Sequence, residues 1–569
     1  MCFITLLNLL KLPQIFNFLV ITMKRATSGL NLFISQQEQE DEVNKIDVFN
    51  NLTAAQPTLA QSLDLGTLIN SHDANIAIES VKEPNSVAIH GDLIAVAVAN
   101  ADKTQNGWAL FLNRSDLTVA EVVEVGALPD MLTFTPDGSK VLVANEGEPA
   151  VDYSVDPVGS ISVITVADFS VATIGFTDFN EDATNSRFSE LDLTKMVLDG
   201  YSATNAGNKA TVAESFEPEY ITVSDDGAKA FVALQENNAI AVINLADNTI
   251  DKIFGLGFKD HSIPGNEMDA GDEDGPGGEP KVNIRNWPVK GIYMPDAIDS
   301  FTYNGKTYLI TANEGDSRED WLNEVSDETS CVAAGYYFRG GECLDEVRVK
   351  HLNSRAGLSL GGDLTGLDSD DNLGRLKASY HTTRIMNGNS RSDGTDKSQP
   401  INTIYAYGAR SFSIWDTETG EQVFDSGSDF ERITANRYGI NFNNNNTVNA
   451  GDSRSDDKGP EPEGVTVGKI NGYTYAFIGL ERIGGVMVYD ISNPFAPSYV
   501  QYVNNRDFTT QPDGTDTTYT VDAGDLGPEG FKFVPAVDSP DGKNYLIVAN
   551  EKSGTNAIFE IKTTNIASE

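Results

Sequence analysis

A unit made of a proline, an acidic residue and two short strands recurs along this chain and constrains its fold more than any other feature. It reads LPDMLTFTPDGSKVLVANEGEP at 128–149, YMPDAIDSFTYNGKTYLITANEGDSR at 293–318 and LGPEGFKFVPAVDSPDGKNYLIVANE at 526–551. Each copy alternates apolar and polar residues around a glycine turn, which predicts an antiparallel hairpin. Several copies continue into a third alternating strand, so each repeat predicts a small antiparallel sheet.

The spacing of the copies indicates how many there are. Six prolines open visible copies: Pro84, Pro129, Pro218, Pro295, Pro462 and Pro528. The longest interval, from Pro295 to Pro462, contains another strand set, INTIYAYGARSFSIWD at 401–416, which makes seven. Sheets that cannot bury both faces alone are typical of a β-propeller, whose blades stack around a central channel. We predict an all-β chain with a single propeller of seven blades, each of three to four antiparallel strands. Eight blades are the alternative if 61–82 contributes strands.

The propeller is predicted to occupy residues 75–561, between an N-terminal extension or linker at 26–74 and a C-terminal tail at 562–569. Long acidic, glycine-rich insertions separate its repeats at 178–213, 258–290, 319–400 and 436–460. Loops of this length in a compact fold are usually functional or mobile. We expect them to cluster on one or both faces of the disc.

Residues 1–25 are predicted to be a signal-like or anchor segment. Its apolar run, CFITLLNLLKLPQIFNFLVIT at 2–22, is interrupted by Lys11 and Pro13 and has no basic residues before it. The run fits a secretory signal, a poor membrane anchor or a misassigned start codon. From this run and the cysteines described below we predict an exported protein, periplasmic, at the cell surface or secreted. No second apolar run of spanning length follows, so no integral membrane domain is expected beyond this segment.

Two cysteines support the exported location. Cys2 lies in the segment that export would remove, which leaves Cys331 and Cys343 around the short loop VAAGYYFRGGE. Cysteines enclosing a short loop in an exported protein are predicted to form a disulfide. Two unpaired thiols are the alternative.

Charge and motifs exclude several function classes. The chain has 84 acidic and 40 basic residues and a formal net charge of −44, which argues against nucleic acid or an anionic membrane as a partner. Its five histidines show no HExxH pairing, and the sequence has no P-loop, GxSxG elbow or dinucleotide fingerprint. Nucleophilic triads and cofactor-dependent redox enzymes are therefore disfavoured.

Circular repetition turns recurring positions into rings around a channel mouth. The residue after the proline is acidic in five copies, and a second acid follows the next strand in each. These residues are Asp130, Glu219, Asp296, Glu463 and Glu529 in the first ring and Glu146, Glu236, Glu314, Glu481 and Glu551 in the second. Carboxylates packed around a narrow opening repel one another unless cations neutralise them, and hard oxygen ligands suit Ca²⁺ or Mg²⁺. We predict that these rings bind divalent cations, Ca²⁺ first, although any single acid could instead cap a turn.

Basic residues are scarce, so their positions near these acids are informative. Arg454 and Lys458 precede Glu463 in DSRSDDKGPEPEG, and Arg318 ends the segment ANEGDSR. Cationic groups among channel carboxylates suit an anion bridged to a metal, as a phosphoester site requires. If the protein is a phosphoesterase, its candidate catalytic residues are therefore Glu463, Glu529, Arg454, Lys458 and Arg318. Salt bridges between adjacent blades are the competing interpretation, which we favour.

Two insertions carry oxygen-rich spacings that resemble calcium loops. Asp269, Asp272 and Asp274 precede a glycine in DAGDEDG, and DSDDNLG at 368–374 repeats the pattern. Neither ends in the glutamate of an EF-hand loop. A solvated acidic loop is an equal alternative in a chain of this charge.

Four segments carry a resemblance to a known family. RSDDKGPEPEGVTVGKINGYTYAFIGLERIGGVMVYDISNP at 454–494 resembles the most diagnostic stretch of the choice-of-anchor I domain family. TANEGDSRED at 311–320, NIRNWPVKGIYMPDAI at 283–298 and DNLGRLKAS at 371–379 are similar to its other characteristic segments. The resemblance runs from about residue 75 to 561 and implies a WD40/YVTN-like propeller at an extracytoplasmic address. It implies no settled activity, although animal relatives suggest calcium handling at mineral surfaces.

Three functions are compatible with the sequence. The first is a non-enzymatic, calcium-binding propeller that acts as a binding or scaffold module toward a surface or matrix component. The second is a metal-dependent phosphoesterase acting on a phosphorylated small molecule, with phytase-like logic. The third is a protein-interaction propeller whose acids keep it soluble in salt. We favour the first.

Overall fold

The computed structural model describes residues 58–198, 200, 209–318, 322–391, 394–512 and 523–563, and four earlier strand segments, 2–10, 19–21, 33–37 and 45–50. Most of the described strands belong to seven four-stranded antiparallel sheets, numbered sheet 1 to sheet 7 in chain order. Sheet 1 contains Leu19–Ile21, Phe33–Gln37, Lys45–Asn50 and Thr58–Asp64; sheet 2 contains Val81–His90, Leu93–Asn100, Asn106–Asn113 and Val119–Ala127. Sheet 3 contains Pro129–Phe134, Lys140–Asn145, Ser160–Thr165 and Ser170–Gly175; sheet 4 contains Pro218–Val223, Lys229–Leu234, Ala239–Asn244 and Thr249–Gly255.

Of the remaining three sheets, sheets 5 and 7 depart from simple consecutive order. Sheet 5 contains Ile298–Tyr303, Lys306–Asn313, Ser411–Asp416 and Gln422–Asp425; sheet 6 contains Pro462–Ile470, Tyr473–Leu480, Val486–Asp490 and Ser498–Val503. Sheet 7 combines Pro528–Val534, Asn544–Asn550 and Thr555–Thr563 with the N-terminal strand Cys2–Leu10. That strand pairs antiparallel with Thr555–Thr563, so both ends of the described chain meet in one sheet.

The first strands of the seven sheets lie against one another in a closed order, with the sheet 7 strand contacting that of sheet 1. Apolar side chains fill the space between neighbouring sheets. Val163 of sheet 3 packs with Val232 of sheet 4 in one such cluster, and Ile414 of sheet 5 packs with Ile478 of sheet 6 in another. Because each sheet buries both faces only against its neighbours, the ring is the stable unit, and the fold is a β-propeller.

Two of the predicted assignments differ from the structure. The strand set at 401–416 does not form a blade of its own, because Ser411–Asp416 pairs with Lys306–Asn313 as the third strand of sheet 5. The segment 26–74 is not a linker, since it supplies most of sheet 1, where Ile46 and Val48 are buried. The alternating pattern KIDVFN at 45–50 could have signalled this strand. Residues 564–569, most of the predicted tail, lie outside the described residues.

An insertion leaves sheet 5 after Asn313 and returns at Ser411. Together with 258–292 it builds a separate apolar core around Trp287, Leu352 and Leu376. Its strands are Phe258–Asp260, Val289–Ile292, Ile404–Tyr407, Tyr337–Arg339, Glu342–Leu344, Glu346–Arg348 and Lys377–Ser379. The predicted disulfide between Cys331 and Cys343 is present and is confirmed.

Helices are short and lie mainly outside the sheets. The α-helices are Leu65–His72, Val212–Ser215, Glu328–Ala334, Val349–Ser354, Tyr380–Met386 and Asp429–Tyr438. Single 3₁₀ turns occur at Ile78–Ser80, Thr177–Phe179, Phe188–Glu190, Gly362–Leu364 and Gly439–Asn441. Across the described residues, none of these helices is long and apolar enough to cross a membrane. The predicted export signal in 1–25 stays a prediction.

The insertion is attached to sheet 5 by a narrow crossing of two glycines. Gly315 and Gly408 both have positive φ, 88° and 74°. A Cβ atom on Gly315 would lie 2.0 Å from the backbone nitrogen of Gly408. Only glycine fits so close a backbone approach in this conformation, so the outgoing and returning chains are held side by side.

Candidate functional site

The repeated proline aims the acidic residue that follows it into the channel. In sheets 3, 4, 6 and 7 the ladder register shifts immediately after the proline that opens the first strand. Such a bulge bends the strand and redirects a side chain. The residue before the proline has positive φ in four copies, namely Leu128, Met294, Glu461 and Gly527. This strained entry is a backbone feature of the repeat that the sequence pattern did not reveal.

In three repeats the second acid is fixed next to the start of the first strand by a backbone hydrogen bond. The Glu146 N–H donates to the carbonyl of Leu128 at 2.9 Å, and the Glu481 N–H donates to that of Glu461 at 2.8 Å. In sheet 7 the Glu551 N–H donates to Gly527 in the same way at 2.7 Å. The end of the second strand is therefore tied to the start of the first, which brings the two carboxylates of a repeat together.

A cavity of about 530 Å³ occupies the centre of the ring. All five predicted residues of the first ring line it, together with two of the second ring. The acidic residues on its wall are Asp130, Glu219, Asp296, Glu314, Asp316, Glu463, Glu481 and Glu529. The sixth copy contributes Asn85, whose Nδ2 donates to the Pro129 carbonyl at 3.1 Å. We call this space the channel cavity.

Three of the predicted ligands form a compact carboxylate cluster in the channel cavity. Single oxygens of Asp296, Glu314 and Glu463 all lie within 4.8 Å of one another. Glu314 is oriented on both oxygens, because Lys458 Nζ donates to Oε1 at 2.7 Å and Gln235 Nε2 donates to Oε2 at 3.0 Å. Glu463 Oε2 is buried and lacks a hydrogen-bond partner in the described structure. We call these three residues the carboxylate triad.

A second cluster next to the triad is already neutralised by basic residues. Oxygens of Glu314, Glu461 and Glu481 lie within 4.8 Å of one another. Glu461 is fully buried and pairs with Arg454 at 2.8 Å and Arg482 at 3.0 Å. Burial alone would raise its pKa, but these two guanidinium groups and the Lys458 ammonium hold the pKa of Glu461 well below its usual range. This cluster is therefore a salt-bridge network, as the competing interpretation of the basic residues anticipated.

The carboxyl groups of the triad are surrounded by other acidic side chains. Burial, followed by the charge of Glu314, raises the pKa of Asp296 well above its usual range. Burial also raises the pKa of Glu463, with Glu481 and Glu529 adding to the effect. Like charges that cannot be separated either bind protons or bind cations, so the cluster is poised to take up positive charge.

A second cavity of about 510 Å³ lies at the mouth of the channel, under the insertion. Glu146, Glu148 and Glu236 come from sheets 3 and 4, whereas Glu346, Lys377 and Tyr407 come from the insertion. Glu219, Asp316, Lys458 and Arg482 line both cavities, so the two spaces adjoin. We call this space the vestibule, and it gives the insertion direct contact with the route to the triad.

Two predicted site residues lie elsewhere. Glu551 lines neither cavity and pairs with Lys552 at 2.7 Å. Arg318 is buried and forms an ion pair with Glu217, and its Nη2 donates to the Ser215 carbonyl at 2.8 Å. Its position contradicts the prediction that it holds phosphate, because the side chain is enclosed against Ser215 and Glu217, just before sheet 4, and lines neither cavity.

The calcium-like insertions are held by protein donors. Asp272 pairs with Arg375, and the side chain of Asp274 accepts from Asn283 Nδ2 at 2.5 Å. Asp370 of the other insertion pairs with Lys350 at 2.7 Å. The side chains of Asp272, Asp274 and Asp370 therefore stabilise the insertion through ion pairs and hydrogen bonds.

Sequence reasoning missed three residues that shape the site. Gln235 and Asp316 adjoin predicted acids but were not assigned roles, and Glu461 was seen only as part of a mixed-charge run. The sequence signal for Glu461 was its position immediately before the repeat proline. In the structure this residue has a positive φ, which is a strained conformation. The contact from Lys458 to Glu314 joins residues 144 apart in sequence, which no local pattern encodes.

In the absence of cations, stability is expected to fall as pH rises from about 4 to about 7. The pKa values of Asp130, Glu236 and Glu481 are each raised to about 7 by burial, whereas unfolded carboxyls titrate near about 4. A group with a raised folded-state pKa contributes stability that is complete below its unfolded pKa and is lost as pH rises through its folded pKa. The melting temperature in EDTA should therefore decrease across this window. A flat or rising melting temperature in EDTA would contradict these shifts.

The sequence model of the choice-of-anchor I domain matches residues 27–494, which is most of the chain and includes all of sheets 2 to 5 and most of sheets 1 and 6. The chain belongs to this family. This choice-of-anchor I propeller is 29% identical over 207 residues to Gigasin-3a of Magallana gigas, a match covering 35% of this chain and 68% of that protein. It is 26% identical over 216 residues to the mesenchyme-specific cell surface glycoprotein of Strongylocentrotus purpuratus, covering 35% of this chain. That match spans only 26% of the glycoprotein's length.

Solved structures resemble the propeller only distantly. A chain of hydrazine synthase from Kuenenia stuttgartiensis superposes with a TM-score of 0.41 and 11% identity, covering 97% of this chain and 96% of that chain. The Cps50 (Swd1) β-propeller domain of Myceliophteria thermophila gives 0.40 and 6%, covering 98% and 100%. Similarity this weak carries no argument about the site, which rests on the geometry described above.

Proposed function

We propose that this choice-of-anchor I propeller is an extracellular or cell-surface binding module whose channel holds Ca²⁺ at Asp296, Glu314 and Glu463. One observation carries the proposal: three carboxylates converge within 4.8 Å in a cavity, and one buried oxygen of Glu463 has no hydrogen-bond partner in the described structure. Carboxylate oxygens are hard ligands and suit Ca²⁺ or Mg²⁺. The family membership and the cell-surface glycoprotein relative support the location.

Calcium is favoured over magnesium by the number and arrangement of oxygens. Ca²⁺ takes six to eight oxygen ligands in flexible geometry, whereas Mg²⁺ demands a near-ideal octahedron and keeps several waters. Asp130, Glu219 and Glu529 stand on the same cavity wall and enrich it in carboxylate oxygens. A large ion with adaptable coordination fits such a ring better than a small ion with strict geometry.

The phosphoesterase alternative has less support because the basic residues it needs are engaged. Arg454 pairs with Asp457 and Glu461, each at 2.8 Å, and Lys458 pairs with Glu314. Arg318 is enclosed with Glu217. A phosphate oxygen would have to displace a carboxylate from each of them, at the cost of leaving that carboxylate unpaired.

Melting of the full chain in EDTA and in added Ca²⁺ tests the proposal. A ligand that binds only the folded state stabilises that state. We therefore expect Ca²⁺ to raise the melting temperature and, at 100 times its dissociation constant, to raise the free energy of unfolding by about 2.7 kcal/mol. Hydrolysis of p-nitrophenyl phosphate is measured in the same samples, and we expect none above background. Turnover lost on replacing Glu463 and Glu529 together by Gln would favour the esterase. No response to Ca²⁺ would leave an acidic interaction propeller.

A further inference from the structure

Lys458 places an ammonium group among the carboxylates of the proposed cation site. Its Nζ donates to Glu314 Oε1 at 2.7 Å and lies 3.4 Å from an oxygen of Glu461. The side chain is only 13% exposed and lines both the channel cavity and the vestibule. The ammonium is therefore a fixed positive charge inside the site rather than a surface group.

Glu314 is the residue that would contact both the Lys458 ammonium and a bound cation. It belongs both to the carboxylate triad and to the neutralised cluster next to it. Each of its oxygens already accepts one hydrogen bond, from Lys458 or from Gln235. A divalent cation ligated by Glu314 would share that carboxylate with the ammonium, and two positive charges at this separation repel strongly where solvent screening is weak.

We propose that Lys458 is a tethered competitor of the divalent cation for Glu314 and thereby sets the affinity of the channel. This inference rests on the proposed function. The lysine neutralises Glu314 when the free cation concentration is low, and it yields the carboxylate only when that concentration is high. A site tuned in this way responds to the millimolar calcium range in which extracellular modules bind.

A purely structural role for Lys458 predicts the opposite sign. If the lysine mainly positions Glu314 for metal binding, its removal releases the carboxylate and weakens affinity. If the lysine competes, its removal takes away a repelling charge while Gln235 still orients Glu314, and affinity rises. The direction of the change in affinity therefore separates the two roles.

The experiment compares four full-length proteins by isothermal titration with CaCl₂ at constant ionic strength and about pH 7.5. Lys458→Gln removes the charge, and Lys458→Arg keeps it. Lys552→Gln is the matched control, because Lys552 also pairs with a ring-position carboxylate, Glu551, at 2.7 Å but lines neither cavity. We expect Lys458→Gln to bind Ca²⁺ at least about tenfold more tightly than the wild type. Lys458→Arg should resemble the wild type, and Lys552→Gln should differ from it by less than about threefold.

Melting in EDTA accompanies each titration and shows that every variant is folded. Unchanged or weaker binding by Lys458→Gln, with binding intact in the wild type, overturns the inference and leaves the proposed function standing. Equal tightening by Lys552→Gln also overturns it, because the effect would then be one of general charge. If only Lys458→Gln binds, the competitor role is supported and the proposed function of the natural chain fails. If none of the four proteins binds, both fail.

Discussion

Replacing Asp296 by Asn and Glu463 by Gln together is expected to raise the melting temperature in EDTA and to abolish the further rise caused by Ca²⁺. The two effects have one cause. Both carboxyls have a pKa raised by burial and by neighbouring acids, so their charges oppose folding when no cation is present. The amides keep the shape of the side chains but remove the charge that attracts the ion. The stabilisation of about 2.7 kcal/mol that Ca²⁺ should give the wild type at 100 times the dissociation constant should therefore be absent from the double variant.

The control for this double variant is Glu551→Gln. Glu551 belongs to the second ring, where it is the sheet 7 equivalent of Glu314, but it pairs with Lys552 and lines neither cavity. It should keep the full response to Ca²⁺. Differential scanning calorimetry of the three proteins, with and without Ca²⁺, measures the outcome. A double variant that still responds like the wild type would show that calcium binds elsewhere, and the triad would lose its proposed role.

Replacing Arg410 by Met is expected to cost about 3 to 5 kcal/mol of unfolding free energy, the usual effect of breaking a buried ion pair. Arg410 is 4% exposed, and its Nη1 donates to Glu431 Oε1 at 2.6 Å. Its Nη2 donates to the carbonyls of Ser455 and Asp457 at 2.8 and 2.6 Å. The arginine thus fastens the loop that carries Arg454 and Lys458 to the helix Asp429–Tyr438. Urea unfolding measures the loss.

A neighbouring arginine provides the comparison. The Arg432 side chain is 52% exposed and pairs with Glu267 at 3.1 Å, so Arg432→Met should cost less than about 1 kcal/mol. The double variant Arg410→Met with Glu431→Gln should be more stable than Arg410→Met alone, because it no longer leaves a charge buried without its partner. Equal losses for the two arginines would mean that the buried pair does not hold the loop.

Local pattern was sufficient to predict the first ring of acids. The proline, the acid after it and the acid after the next strand are defined within about 25 residues, and hairpin register then brings them together. This is why Asp130, Glu219, Asp296, Glu463 and Glu529 all reach the channel cavity. The backbone bulge and the positive φ before the proline refine the aim of these side chains but do not change which residues arrive.

Long-range contacts account for what the sequence did not reveal. Sheet 5 is interrupted between its second and third strands, so the spacing of the prolines suggested an extra blade where there is an insertion. Which basic residue neutralises which acid depends on packing between elements far apart in the chain, as the pairing of Lys458 with Glu314 shows. The residues next to Arg318 in the sequence suggested that it binds a ligand. Only its burial against Glu217 in the structure shows that it has a structural role.

The crossing of Gly315 and Gly408 has a consequence for how this propeller can diversify. Because the two backbones touch there, the intervening chain begins and ends at one point, and its length places little demand on the ring. The insertion can therefore vary in length or be replaced by another sequence. The point at which the insertion is attached is constrained, because Gly315 directly follows Glu314. The insertion is therefore anchored one residue from Glu314, the proposed calcium ligand, so a shift of its attachment point would be passed to that residue through a single peptide bond.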